Sequence, residues 1–286
     1  MEEECSASGD IQAIATIFLT NRECPFRCVM CDLWRNTMLH SVPSGAIREQ
    51  IDFALDRLPQ SQVVKLYNSG SFFDPHAIPP EDYESISERL QGFERVIVEC
   101  HPAFVGDHCA EFRDLLAGRL EIAMGLETAH PGVLQKLNKQ MTLPKFAHAA
   151  DFLRSNDIDL RVFILVQPPF LPSKQALEWA KRSLDLAFDC GAVAATLIPT
   201  RGGNGAMEEL AAAGEFAPPG IALLEAAAKY GVELRRGRVF TDLWNFKRNS
   251  SCAECFNRRV ERLRVLNLTQ RLVKPVVCSQ CGDQSE

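Results

Sequence analysis

Seven of the eleven cysteines fall in two tight groups. The first, Cys24-Pro-Phe-Arg-Cys28-Val-Met-Cys31, is a C-x3-C-x2-C array. Three thiolates from one short loop leave a tetrahedral zinc ion one ligand short unless a distant side chain completes it. The same three can hold three corners of a [4Fe–4S] cluster and leave the fourth iron open to a small molecule. The second group pairs Cys252-Ala-Glu-Cys255 with Cys278-Ser-Gln-Cys281, two C-x2-C knuckles 22 residues apart. It offers a complete set of four thiolates, for structural zinc by preference or for a second iron–sulfur cluster. The spacing does not separate these two. Cys5, Cys100, Cys109 and Cys190 are scattered, and read as small buried apolar residues.

The elements that must position these groups follow from apolar periodicity. Strands are expected over 14–20, 63–67, 95–99, 120–124, 160–166 and 193–198. Helical spacing fills most of the gaps: 44–58, 80–90, 107–116, a helix opening at Thr142 with Pro144 in its first turn, and 173–188. Six strand–helix units in order imply a parallel α/β sheet with helices outside and functional loops after the strands' C-terminal ends. Periodicity leaves open whether the sheet closes partly into a barrel or lies open as a doubly wound sheet. The first cysteine group stands directly after the first strand. Beyond residue 200 the pattern changes to a glycine-rich loop, Thr200-Arg-Gly-Gly-Asn-Gly205, then helices over 206–213, from Pro218-Pro219 to Tyr230, and around 258–264.

Composition narrows the classes. In 286 residues, 46% hydrophobic and 24% charged describe a globular chain and exclude a disordered or fibrous one. No apolar run is long enough to span a membrane, and Met1–Cys5 lacks the basic and apolar regions of a secretory signal, so a cytoplasmic protein is expected. The net charge is −6, yet the stretch 229–274 holds twelve Lys/Arg against four Asp/Glu. Such a tail meets an anion such as RNA, or docks on the acidic body. Arg258 and Arg262, at i and i+4, are candidate anion contacts, and Arg201 is a candidate partner for an anionic substrate. The six histidines show no metal-ligand spacing.

The C-x3-C-x2-C array at the end of a first βα strand resembles that of the radical S-adenosylmethionine superfamily. The resemblance implies a [4Fe–4S] cluster on Cys24, Cys28 and Cys31, and S-adenosylmethionine on the open iron. Reductive cleavage would then yield a 5′-deoxyadenosyl radical that abstracts hydrogen from a substrate. Later strands carry similar elements. Ser69-Gly70-Ser71 stands where many members have a Gly-Gly-Glu-like run. Glu99 ends the third strand, and Gly125-Leu-Glu127-Thr128 with Asn138-Lys139 resembles motifs of elongator-subunit-like and coproporphyrinogen-oxidase-like members. Ser69, Gly70, Ser71, Glu99, Glu127, Lys139 and Arg161 are therefore the implied cofactor contacts.

With Val166-Gln-Pro-Pro-Phe170 and Leu268-Thr-Gln270, nearly the whole chain resembles the radical subunit of archaeosine synthase and its relatives. The fold implied is a partial (βα)6 barrel over 11–215, after a tail of 1–10 and before a basic Cys-rich extension, 216–286. A tRNA nucleoside is the implied substrate, with a ferredoxin or flavodoxin as reductant and a modification enzyme as partner. The competing readings are a radical enzyme acting on a small metabolite, a non-catalytic zinc-binding nucleic-acid module, and a partner subunit that has lost turnover.

Overall fold

Runs of β-branched and aliphatic residues alternate with amphipathic stretches, and in the computed structural model they build one eight-stranded sheet whose strands neighbour one another in chain order. The structure describes residues 1–246 and 252–281. The strands are β1 (Glu2–Cys5), β2 (Ile11–Phe18), β3 (Val63–Tyr67), β4 (Arg95–Glu99), β5 (Arg119–Glu127), β6 (Asp159–Val166), β7 (Ala194–Pro199) and β8 (Arg238–Thr241). From β2 to β8 every pairing is parallel, while β1 runs antiparallel to β2. The sheet curls into a nearly closed barrel. Cys5 of β1 packs with Ala194 and Phe240, and Arg238 donates to the Cys5 carbonyl at 3.3 Å. Because β1 pairs only with Ile11–Ile14, it covers the N-terminal half of the β2 edge.

Nine α-helices are described: α1 (Ala46–Leu55), α2 (Tyr83–Leu90), α3 (Asp107–Leu115), α4 (Pro131–Lys136), α5 (Leu143–Ser155), α6 (Ala176–Asp189), α7 (Ala206–Ala212), α8 (Ile221–Leu234) and α9 (Phe256–Thr269). The helix expected at Thr142 is α5: the Thr142 side chain accepts from the Lys145 N–H, with Pro144 in the first turn. Ile47, Ile51, Leu90, Phe112, Phe146, Leu153 and Leu184 are buried between helices and strands. Each such side chain contributes about 1.5–3 kcal/mol by leaving water. No described helix is long and apolar enough to cross a membrane.

All six expected strands are present, and two more were not expected. The polar lead read as a tail supplies β1, and β8 lies in the extension. Both are only four residues long and carry inward charges, which weakens their hydrophobic pattern. Glu4 pairs with Lys65 and Arg161, and Arg238 reaches Glu121 at 3.4 Å. The N-terminal half of the barrel interior is thus an ionic layer, in which Arg161 also holds Glu121 at 2.6 Å. The layer nearer the C-terminal ends is apolar and aromatic, with Tyr67 and Phe163 packed against Ile97 and Ala123. The four scattered cysteines are all buried, at 0–9% exposure.

Candidate functional site

Leu19 continues from β2 by donating to the Tyr67 carbonyl at 2.7 Å, and the chain then leaves the sheet to form the cysteine loop. Cys24, Cys28 and Cys31 are half-buried there. The loop is tied down from several sides. The Val29 N–H donates to Leu137 O at 3.0 Å, and the Asn138 side chain donates to Arg27 O at 2.8 Å. Gly70 brings its backbone against Cys24, since a Cβ at Gly70 would lie 3.4 Å from the Cys24 Cβ. Phe26 stacks on His101 with ring centroids 3.7 Å apart. His101 Nδ1 accepts from the Ala103 N–H, which leaves Nε2 to donate to Lys139 O at 2.9 Å. Burial also holds this imidazole neutral, with its pKa down at about 4.

Around the loop stand three features from neighbouring strand ends. Glu99 Oε1 accepts from the Asn68 N–H at 2.6 Å and the Gly70 N–H at 3.4 Å. Burial pushes this carboxyl up to about 7, against the pull of those amides and Lys139. Ser71 Oγ accepts from the His101 N–H at 2.9 Å. Lys139 Nζ and Glu127 Oε1 form a buried ion pair at 2.7 Å. Although burial works against its charge, the Lys139 ammonium is held protonated by the Glu127 carboxylate. A side chain at position 125 would collide with both ends of that pair, meeting Lys139 Nζ at 2.6 Å, so a glycine there makes room for it.

Burial raises the pKa of all three loop thiols, Cys28 to about 12, as it does for the buried Cys100 and Cys109, so all of them are protonated at neutral pH. Asn68, fully buried, has both side-chain polar atoms without a partner. Seven of the ten described non-glycine residues with positive φ (Ser69, Glu127, Asn138, Gln140, Gln167, Phe170 and Asn245) lie at the C-terminal strand ends or in the connections that follow them. Backbone strain of that kind gathers where structure is held for a function. Asn68 was not among the expected site residues, because an Asn beside a strand end carries no periodic signal, and Asn138 was read only as part of the Asn138-Lys139 motif.

The expected site residues divide into two sets. Ser69, Gly70, Ser71, Glu99, Glu127 and Lys139 converge with the cysteines. Arg161 does not: it is committed to Glu4 at 2.8 Å and Glu121 in the opposite half of the barrel. Arg201, just beyond β7, is held by Asp242 at 2.8 Å. Arg258 is exposed, whereas Arg262 turns inward to Glu225 at 2.9 Å, so the pair does not present one anion-facing surface.

In the tail, Cys252, Cys255, Cys278 and Cys281 have their sulfurs within 4.8 Å of one another. Cys252–Cys278 and Cys255–Cys281 are each 3.9 Å apart. Four sulfurs at about 2.3 Å from one tetrahedral ion stand about 3.8 Å from each other. Cubane ligands, each on its own iron, stand further apart, so the quartet has the spacing of a single-ion site. The three loop cysteines belong to no such compact group among the described residues.

No family model matches the chain. Archaeosine synthase subunit beta of Methanosarcina acetivorans is 28% identical over 219 residues, 73% of this chain and 63% of that protein. Among solved structures, the radical S-adenosylmethionine methyltransferase TsrM of Kitasatospora setae aligns with a TM-score of 0.51 at 16% identity, over 69% of this chain and 39% of that one. Elp3 of Methanocaldococcus infernus aligns with a TM-score of 0.57 at 14% identity, over 80% and 56%. The chain spans a little over 60% of the length of the first curated relatives it matches.

Proposed function

We propose that this chain, which has the fold of the radical S-adenosylmethionine superfamily, is an enzyme whose Cys24, Cys28 and Cys31 hold a [4Fe–4S] cluster. Ser69, Gly70, Ser71, Glu99, Glu127 and Lys139 hold S-adenosylmethionine beside it. The observation that carries this reading is the convergence of three half-buried thiols, a carboxylate on strand-end amides and a buried Lys–Glu pair at one barrel end. Bound there, the two groups supply reductive cleavage of S-adenosylmethionine and a 5′-deoxyadenosyl radical for hydrogen abstraction.

The chain's own contribution is binding, orientation and exclusion of water. Lys139 sets a cation near Cys24 and Cys28, offsetting thiolate charge and offering a point charge to a carboxylate. Glu99 stands where an ammonium or a ribose hydroxyl can be received. The Phe26–His101 stack walls the cysteine loop on one side. The tail quartet holds zinc, supported by its 3.9 Å sulfur separations.

For the substrate, the similarity to archaeosine synthase subunits favours a tRNA nucleoside, an electron donor such as ferredoxin or flavodoxin, and a partner modification enzyme. Arg201 is a fixed cation for an anionic substrate. The exposed Arg258, Arg264, Arg271 and Lys274 are available to RNA phosphates.

The test is anaerobic reconstitution with iron and sulfide, reduction with S-adenosylmethionine present, and assay of 5′-deoxyadenosine. Wild type should produce it. A Cys24/Cys28/Cys31→Ala variant should produce none while retaining tail zinc. Zinc in both cysteine groups and no deoxyadenosine would instead favour a non-catalytic module.

A further inference from the structure

The glycine-rich loop between β7 and α7 lies against the cysteine loop. Asn204 Nδ2 donates to the carbonyls of Val29 at 2.7 Å and Cys31 at 3.4 Å. Its Oδ1 accepts from the Met207 N–H at 2.9 Å, at the start of α7. The contact is returned by Arg35, four residues beyond Cys31, whose guanidinium donates to Gly203 O and Asn204 O, each at 3.0 Å. The loop is shaped for this by Glu208, whose carboxylate accepts from the Gly203 N–H at 2.6 Å and the Gly205 N–H at 2.8 Å. Gly203 and Gly205 have φ of +125° and +88°, conformations that a side chain would strain.

A cysteine sulfur is one torsion away from its backbone, so whatever fixes the peptides around Cys31 also fixes where its sulfur points. The Val29 and Cys31 carbonyls flank the Met30–Cys31 segment, and a single amide holds both. We propose that Asn204 is a positioning residue for the third cysteine of the cluster loop, making the β7–α7 loop part of the cluster's outer support. This rests on reading the cysteine loop as an iron–sulfur site. Partners of this kind act on metal retention and on the metal's electronic surroundings rather than on chemistry directly.

The test uses Asn204→Asp and Asn204→Ala in the full chain. Aspartate keeps the acceptor for Met207 but sets a carboxylate against two carbonyls; alanine removes both functions. After anaerobic reconstitution, the measurements are iron and sulfide per chain, the rate of cluster bleaching by a chelator, and the electron paramagnetic resonance spectrum of the reduced cluster. Both variants should lose the cluster about tenfold faster than wild type or more, with an altered spectrum and a near-wild-type unfolding temperature. Glu208→Gln, which loosens the same loop without touching the cysteines, should shift retention in the same direction by less. Wild-type retention and spectrum in both Asn204 variants would overturn the assignment. A wild type that takes up no iron would overturn the cluster reading itself, a distinguishable failure.

Discussion

Glu99 shows how one residue ties the site to stability. Burial raises its carboxyl from an ordinary value of 4.5 to about 7. The folded state therefore holds a proton that the unfolded state releases, and stability falls as pH rises between those two values. Below about 4.5 the two states are protonated alike, and above about 7 the full cost is in place. Glu99→Gln keeps an oxygen for the Asn68 and Gly70 amides and abolishes the titration. Its unfolding temperature, measured in cluster-free protein, should rise relative to wild type at pH 8 and match it near pH 4.5. An advantage equal at both pH values would show that the carboxyl titrates normally.

Among the elements, α9 is held by more than its flanking cysteines. Glu225 of α8 is buried and receives Arg259 at 2.5 Å and Arg262 at 2.9 Å, and Arg259 itself is only 2% exposed. Part of the basic tail therefore docks on the body rather than facing a partner. Glu225→Ala leaves a buried guanidinium without its carboxylate and should cost about 3–5 kcal/mol. Thermal unfolding and release of tail zinc to a chelator would both report it. Unchanged stability and zinc retention would mean that the knuckles alone secure α9. An RNA-binding test should accordingly change Arg258 and Lys274, which are exposed, and spare Arg262, whose loss would confuse binding with folding.

Across the whole molecule, the two ends of the barrel interior have separate tasks. The C-terminal end carries the cysteines and their neighbours, while the N-terminal end is closed by β1 and an ionic layer. Arg161 and Lys65 overcome the burial of Glu4 and hold its carboxyl far below the usual carboxylate range. A depressed carboxyl contributes stability above its unfolded value of 4.5 that is lost as pH falls toward its folded one. Glu4→Ala should therefore lower stability at pH 7 by about 3–5 kcal/mol, since two buried cations lose a carboxylate, and by much less in strong acid, which unfolding temperatures at the two pH values would report. An equal loss at both pH values would point to packing of β1 rather than charge.

The two cysteine arrays, the six principal strands and the helix opening at Thr142 were legible in the sequence because each is a local signal: ligand spacing within a few residues, apolar periodicity, or a cap. The strand-end residues of the site were reachable through family resemblance, since their motifs are short and contiguous. Other features depended on residues far apart in the chain. The inward charges of β1 and β8 oppose the hydrophobic pattern and make sense only with Lys65, Arg161 and Glu121 opposite them. Arg161 and Arg262 look like free cations in sequence, but burial without a carboxylate would cost several kcal/mol, so folding pairs them with Glu4, Glu121 and Glu225. The compact tail quartet likewise exists only once the chain has brought Cys252 beside Cys278, because ligand type and spacing in sequence suit zinc and iron–sulfur clusters equally.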